Sequence, residues 1–269
     1  MNLRDKIIKA LIESKIASPR LEADIILKNT APSYPDISEK QESLALEYLN
    51  RRLKHEPLDK IIGLKGFYKY DFIVNSDVLS PRPDTEILVE KAIDIIKKNN
   101  FENIIDLGTG SGCIILSILK EFNNLIGVGI DISNKALDVA KINAKRLDIE
   151  NKISFKNCDF ASLNSSMGKF DIIVSNPPYI PEDEFNILDI DVKNYDPKIA
   201  LVGGYDGLIF YKEIADTSPF ILKKNGYILL EVGYNQAQDV VDIFTKKGFT
   251  FVEIARDLAG INRCVILKK

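Results

Sequence analysis

Cysteine, histidine and long apolar runs are all scarce in this chain. The three cysteines among 269 residues, Cys113, Cys158 and Cys264, are an odd number, lie far apart and form no Cys-x-x-Cys pair. That pattern excludes a disulfide framework and offers no zinc-ligand spacing, and a reducing, cytoplasmic setting fits it best. No apolar run approaches the length of a membrane span, and the opening MNLRDKIIKALIESKIA interleaves charges with apolar residues, unlike a signal peptide. Neither a membrane nor export is expected. An excess of charge of one sign is missing too: 36 Lys and Arg stand against 39 Asp and Glu, a net charge of −3. A protein that holds nucleic acid mainly by neutralising phosphates needs a basic excess, so no stable nucleic-acid binding is expected. The single histidine, His55, falls in a connecting region and is expected to be structural or at the surface.

What is present is ordinary globular material, 45% hydrophobic and 28% charged, in a length that suits about two domains. Leu3, Ile7, Ile8, Leu11 and Ile12 stand at helical spacing, and Leu21, Ile25 and Ile26 after Ser18-Pro19 repeat the signal. A third helix is predicted from the Ser38 N-cap to Leu53, with Leu44, Leu46, Tyr48, Leu49 and Leu53 as its apolar residues. Residues 1–65 therefore read as a small helical domain. GFYKYDFIVN, from residue 66, suits a β-hairpin connector over 66–80. From 81 to 269 short apolar runs alternate with helical stretches. Strands are expected around Ile104-Ile105, Leu125–Ile130, Ile153–Phe155, Ile172–Val174, Tyr227–Leu230, Phe249–Ile254 and Cys264–Leu267. Helices are expected over Cys113–Glu121, Asn134–Leu147 and Asp206–Leu222. This alternation predicts an α/β domain with a mostly parallel sheet, one late strand being free to run antiparallel, and ligands beyond the carboxyl ends of the strands.

Asp106-Leu-Gly-Thr-Gly-Ser-Gly112 follows a strand and opens a helix, the setting a nucleotide-type glycine loop requires. Glycine lets the backbone turn sharply and approach a ligand without a Cβ in the way. Asp131 ends the next strand about 20 residues further on, where such folds place a carboxylate on ribose hydroxyls. Cys113 stands where a dinucleotide fingerprint wants its third glycine. The Gly-x-Gly-x-Gly spacing instead resembles class I methyltransferases that bind S-adenosylmethionine, a cofactor without phosphate. Gly108, Thr109, Gly110, Ser111, Gly112 and Asp131 are then cofactor-binding candidates. Asp159 and Phe160 follow the third strand, where such folds hold adenine. Phe160 serves equally as an apolar face for the ring or as core packing.

Asn176-Pro177-Pro178-Tyr179 directly follows a strand. Two prolines fix φ and remove two N–H groups, and Asn176, preceding proline, is held extended. The result is a stiff group of acceptors. The side-chain oxygen of Asn176 and the carbonyl of Pro177 are placed to receive both N–H groups of a planar NH2, with Tyr179 against its flat face. An amide nitrogen is a poor nucleophile because its lone pair is delocalised into the carbonyl, so catalysis there rests on placement.

With Ser80-Pro-Arg-Pro-Asp-Thr-Glu86, the glycine loop, the Asn-Pro-Pro-Tyr element and Arg256-Asp-Leu-Ala-Gly-Ile-Asn-Arg263, the chain resembles the HemK/PrmC family of peptide chain release factor glutamine methyltransferases over nearly its whole length. The resemblance implies a class I, Rossmann-like methyltransferase domain behind a helical substrate-docking domain. It implies S-adenosylmethionine as cofactor, S-adenosylhomocysteine as product, and the glutamine of the Gly-Gly-Gln motif in class 1 release factors as the methyl acceptor. It assigns catalysis to Asn176, Pro177 and Tyr179, and substrate binding to Asn176, Pro177, Pro178 and Tyr179, with Asn176 also touching cofactor. Phe160 stands where some relatives carry tryptophan. Asp84-Thr85-Glu86 reads as a helix N-cap with acidic first-turn residues, ahead of direct ligand contact, and the two are compatible. The rivals are a nucleic-acid adenine methyltransferase, a non-catalytic cofactor-binding scaffold and a nicotinamide dehydrogenase. A pI of 5.5, an intact loop and tetrapeptide, and the missing third glycine weigh against them in turn.

Overall fold

Helical periodicity in the first sixty residues is realised as α1 (Leu3–Glu13), α2 (Pro19–Thr30), α3 (Glu39–Arg52) and the short α4 (Leu58–Ile62). The computed structural model describes residues 1–257 and 259–269. Local signals set the helix starts. Asn2 accepts the Asp5 N–H to cap α1, and Ser38 forms a capping box with Gln41 at the head of α3. The apolar stripes are narrower than periodicity alone suggested. Leu3, Ile7, Leu11, Ala23, Ile26, Leu27, Ala45 and Leu49 form the core, while Ile12, Leu21, Leu44 and Leu46 are exposed. Short helices around a small core cannot cover every apolar residue, and scattered exposed ones are ordinary.

The rest of the chain runs β1 (Leu64–Phe67), β2 (Tyr70–Ile73), α5 (Glu86–Asn99), β3 (Asn103–Leu107), α6 (Cys113–Lys120), β4 (Ile126–Asp131), α7 (Asn134–Arg146), β5 (Ile153–Asn157), β6 (Phe170–Ser175), α8 (Ile190–Tyr195), α9 (Ile209–Ile221), β7 (Leu222–Glu231), α10 (Ala237–Thr245), β8 (Thr250–Arg256) and β9 (Asn262–Lys268). Two compact units result, Met1–Leu64 with Asp189–Tyr195, and Lys65–Leu188 with Asp196–Lys269. The first therefore includes α8, some 140 residues beyond the helices it joins. Arg52 links them: its guanidinium meets Glu22 at 2.7 Å and Asp191 at 2.9 Å. His55 Nδ1 lies 3.3 Å from Asp191, and the Tyr195 hydroxyl donates to the Lys54 carbonyl at 2.8 Å.

In the second unit β1 and β2 form a hairpin, and the other seven strands form one sheet in the order β5-β4-β3-β6-β7-β9-β8. β9 alone runs against the direction of the other six strands, antiparallel to β7 and β8. Strand alternation divides the core in two. Ile104, Ile172, Val174 and Leu229 pack with α5 and α6 on one face; Ile105, Ile173, Ile228 and Leu230 pack with α9 and α10 on the other. No helix among the described residues is long and apolar enough to cross a membrane.

Candidate active site

Strand order reverses between β3 and β6, so the loops leaving their carboxyl ends diverge and open a crevice. A cleft opens there. Gly108 and Gly110 line it, with φ of +74° and +55°. A Cβ on Gly108 would come within 3.1 Å of the Phe160 ring, whereas one on Gly110 would meet nothing within 4 Å. At Gly110 the loop thus presents bare backbone to open space. Its N–H donates to Asp131 Oδ2, and the Ser133 N–H donates to Asp131 Oδ1, both at 2.9 Å. Each carboxylate oxygen keeps a second lone pair for a hydroxyl donor. Burial raises the Asp131 pKa, against the lowering effect of the Ser133, Gly110 and Ile132 N–H groups.

Thr109, Ser111 and Gly112 shape the loop from beneath and do not line the cleft. The Thr109 hydroxyl donates to Asp106 Oδ2 at 2.7 Å, Ser111 is buried, and Gly112 packs α6 against α7 at Ala140. Asp106 is fully buried and pushed up to about 7 by desolvation, with Thr109 lowering and Asp131 raising it. Asp159 lines the cleft and its Oδ1 accepts the Ala161 N–H at 3.1 Å. Phe160 both lines the cleft and belongs to the core, edge-on to Phe210 with centroids 5.6 Å apart. Phe160 is therefore a core residue with part of its ring turned to the cleft.

Opposite the glycine loop, Asn176 and Pro178 line the cleft and Pro177 is buried. The Ser175 hydroxyl donates to the Leu107 carbonyl at 2.6 Å, tying the ends of β6 and β3 together. Asn176 donates from Nδ2 to Thr85 Oγ1 at 3.4 Å, while its Oδ1 accepts nothing from the described residues. Tyr179 is not on the cleft wall. Its hydroxyl donates to Glu231 Oε1 at 3.4 Å and its carbonyl accepts from Gln236 Nε2 at 2.9 Å. Burial raises its pKa, and nearby Glu231 raises it further.

Glu231 ends β7 and is 2% exposed. Because Leu230 pairs with Ser175, Glu231 and Asn176 leave the sheet side by side. The Glu231 carbonyl accepts the Tyr211 hydroxyl at 2.8 Å. Desolvation pushes its carboxyl up to about 7, with Thr85, Arg263 and Tyr179 pulling downward and Asp84 upward.

The expectation that Asp84-Thr85-Glu86 caps a helix needs correction. α5 does begin at Glu86, but Thr85 makes no side-chain cap bond. Pro83 starts a tight turn that feeds directly into α5, so Thr85 is already helical, whereas a capping side chain needs extended backbone. The side chains reach across the fold instead. Arg82 pairs with Asp196 at 2.8 Å and Asp84 with Arg263 at 2.7 Å. Thr85 meets Asn176, and Glu86 accepts the Tyr68 N–H at 3.0 Å. Arg263 also binds Asp257 at 2.9 Å, which gives the Arg256–Arg263 motif its role as a brace; Leu258 of that motif lies outside the described residues.

Sequence reasoning missed several lining residues. Ile132 and Ser133 directly follow Asp131, and Phe210 and Glu213 share a face of α9 at i, i+3, so both pairs carried some local signal. Asp77 and Ile199 had none, being brought to the cleft by tertiary structure alone. Among the described residues no cluster of three or more His, Cys, Asp or Glu is placed to hold a metal, and the three cysteines are free thiols.

Known proteins resemble this one at two levels. A family model described as a methyltransferase domain matches residues 98–246. A protein of Clostridium acetobutylicum named release factor glutamine methyltransferase is 40% identical over 99% of this chain and 98% of its own. One of the same name from Caulobacter vibrioides is 37% identical over 95% and 91%. Among solved structures, a methyltransferase from Pyrococcus furiosus superposes with a TM-score of 0.55 at 16% identity, over 82% of this chain and 98% of its own. That last likeness concerns the fold alone.

Proposed function

This chain belongs to the release factor glutamine methyltransferase family, and on that premise we propose that it moves a methyl group from S-adenosylmethionine to the side-chain amide nitrogen of the glutamine in the Gly-Gly-Gln motif of class 1 peptide chain release factors. The setting is cytoplasmic translation termination. Bare backbone at Gly110, a carboxylate with lone pairs to spare and an aromatic wall share one cleft, and they suit a phosphate-free nucleoside cofactor. In this reading Gly108 and Gly110 hold its methionine portion, on a loop that Thr109, Ser111 and Gly112 shape from beneath, with Asp131 on its ribose hydroxyls and Asp159 and Phe160 on its adenine. The bound cofactor supplies an electrophilic methyl group on a sulfonium centre.

The chain supplies position. Asn176 Oδ1 and the Pro177 carbonyl accept the two N–H groups of the glutamine carboxamide, with Pro178 beside them on the cleft wall and Tyr179 behind it, held by Glu231. Fixing the nitrogen in line for attack contributes up to about 7–11 kcal/mol where near-attack geometry is reached. Two acceptors on the N–H groups also favour the positive charge that develops on nitrogen. No strong base is needed before transfer, and the proton passes from the methylated nitrogen to solvent water afterwards. The helical residues 1–65 would grip the release factor body, and no stable nucleic-acid contact is needed.

One observation carries this reading: Asn176 has its NH2 engaged and its oxygen uncommitted, in the same cleft as Gly110 and Asp131. The test is incubation with labelled cofactor and either a release factor or bulk RNA and DNA. Label on the release factor glutamine is expected. Label on nucleic acid alone would establish the adenine methyltransferase rival instead.

A further inference from the structure

We propose that Thr85 and Glu231 are positioning residues that decide which side of the Asn176 amide faces the substrate. The inference rests on the reading that Asn176 receives a carboxamide N–H. An asparagine amide is nearly symmetric in shape but opposite in hydrogen-bonding sense at its two ends. A substrate NH2 needs an acceptor, so only the orientation with Oδ1 toward it is productive. Asn176 cannot enforce that choice alone.

The polarity is imposed from behind. A hydroxyl carries one proton, and an ionised carboxylate only accepts. Glu231 Oε2 is buried without a hydrogen-bond partner, and Thr85 is the nearby hydroxyl that draws the Glu231 pKa down. In the proposed arrangement the Thr85 proton goes to that unsatisfied Glu231 oxygen. Its lone pair is then left for Asn176 Nδ2, the contact seen at 3.4 Å, and Oδ1 is turned to the cleft. Glu231 is a fixed anchor for this relay because it ends a central strand, is buried, and has its carbonyl held by Tyr211. Its Oε1 also accepts the Tyr179 hydroxyl, so one carboxylate orients the first and last residues of the tetrapeptide.

Protonation reverses the logic. A neutral Glu231 donates to Thr85, whose proton then turns to Asn176 and favours the flipped amide, with NH2 facing NH2. Burial sets this carboxyl to titrate near neutrality, at about 7. The other groups that face it do not mimic the effect: Tyr179, Tyr211, Cys113 and Cys264 are all raised by burial, and Arg263 is held charged beside Asp257 and Asp84.

The experiment compares Thr85→Val, near-isosteric but without a hydroxyl, with Thr85→Ser, which restores it, and with Glu231→Gln. Release factor methylation is followed between about pH 5.5 and 8.5, with cofactor affinity measured by calorimetry. The valine variant is expected to lose about 10- to 100-fold in kcat while cofactor Kd stays within about twofold. Serine should recover turnover to within about threefold of wild type. Wild-type kcat should rise with pH through about 7, and Glu231→Gln should be slow and flat. Should that variant fail to fold, the Val/Ser pair decides alone. Equal turnover of Thr85→Val and Thr85→Ser, with wild type active on the release factor, overturns this inference and leaves the proposed function standing. A wild type that never labels the release factor removes both.

Discussion

At the scale of single residues, the site was legible wherever a side chain or its absence acts on its own backbone. Gly108, Gly110 and the two prolines announce themselves because positive φ and a fixed φ are local demands. Glu231 was silent, since an acid ending a strand reads as surface until the fold buries it, and Thr85 and Arg263 lay in motifs that carry no sign of the contacts they make. Two substitutions probe the legible part. Asn176→Ala removes one of two orienting acceptors, so methyl transfer should drop about 10²-fold or more while cofactor binding stays measurable. Turnover at the wild-type rate would take Asn176 out of its role. Asp131→Ala removes a charged acceptor and the tie between Gly110 and Ser133. Cofactor Kd should rise about 10- to 100-fold in calorimetry, and an unchanged Kd would exclude Asp131 from the cofactor site.

At the scale of elements, all seven sheet strands fall where short apolar runs were read, the central β3, β6, β7 and β9 because a strand buried on both faces is apolar at nearly every position, and the more exposed edge strands β5 and β8 through β-branched and aromatic residues. α8 gave no such signal. Six residues are too few for a period, and its place is set by Arg52 and Asp191, 139 positions apart. The loop that backs the tetrapeptide was equally unreadable, although it is tightly built. Ile180 and Val202 form an isolated bridge, and the Gly203 N–H donates to the Ile180 carbonyl at 2.9 Å. A Cβ on Gly203 would lie 2.6 Å from the Pro178 carbonyl oxygen and 2.9 Å from Tyr179 Cα. Both are backbone atoms, so relief requires the Pro-Pro-Tyr backbone itself to move. Gly203→Ala should therefore cost about 10- to 100-fold in kcat, as misplacement by about an ångström does, with a smaller effect on cofactor Kd because the glycine loop and Asp131 are untouched. Wild-type kcat in that variant would show that the backing loop does not set the geometry of the tetrapeptide.

At the scale of the whole molecule, a nearly neutral chain conceals two fully buried acids at the carboxyl ends of central strands, Asp106 and Glu231, both pushed up to about 7 by desolvation. Their effect on stability has a definite sign. A carboxyl titrates near 4 in the unfolded chain, so between about pH 4 and 7 the folded state binds the proton more tightly. That stabilisation is complete below the unfolded value and is lost as pH rises through the folded one. Above about pH 7 the fold carries each charge against its burial, at a cost on the order of a few kcal/mol apiece. Asp106 isolates the effect, because it lies under the glycine loop rather than on the cleft wall and its Oδ1 has no partner. Asp106→Asn keeps the shape and an acceptor for the Thr109 hydroxyl but cannot ionise. Its melting temperature should match or trail wild type near pH 5, gain on it up to about pH 7 and level off by pH 8, by several degrees if each kcal/mol is worth about 2–4 °C in a chain of this size. A melting-temperature difference independent of pH would mean that Asp106 keeps an ordinary carboxylate pKa in the fold, and that its burial is relieved by something other than a proton.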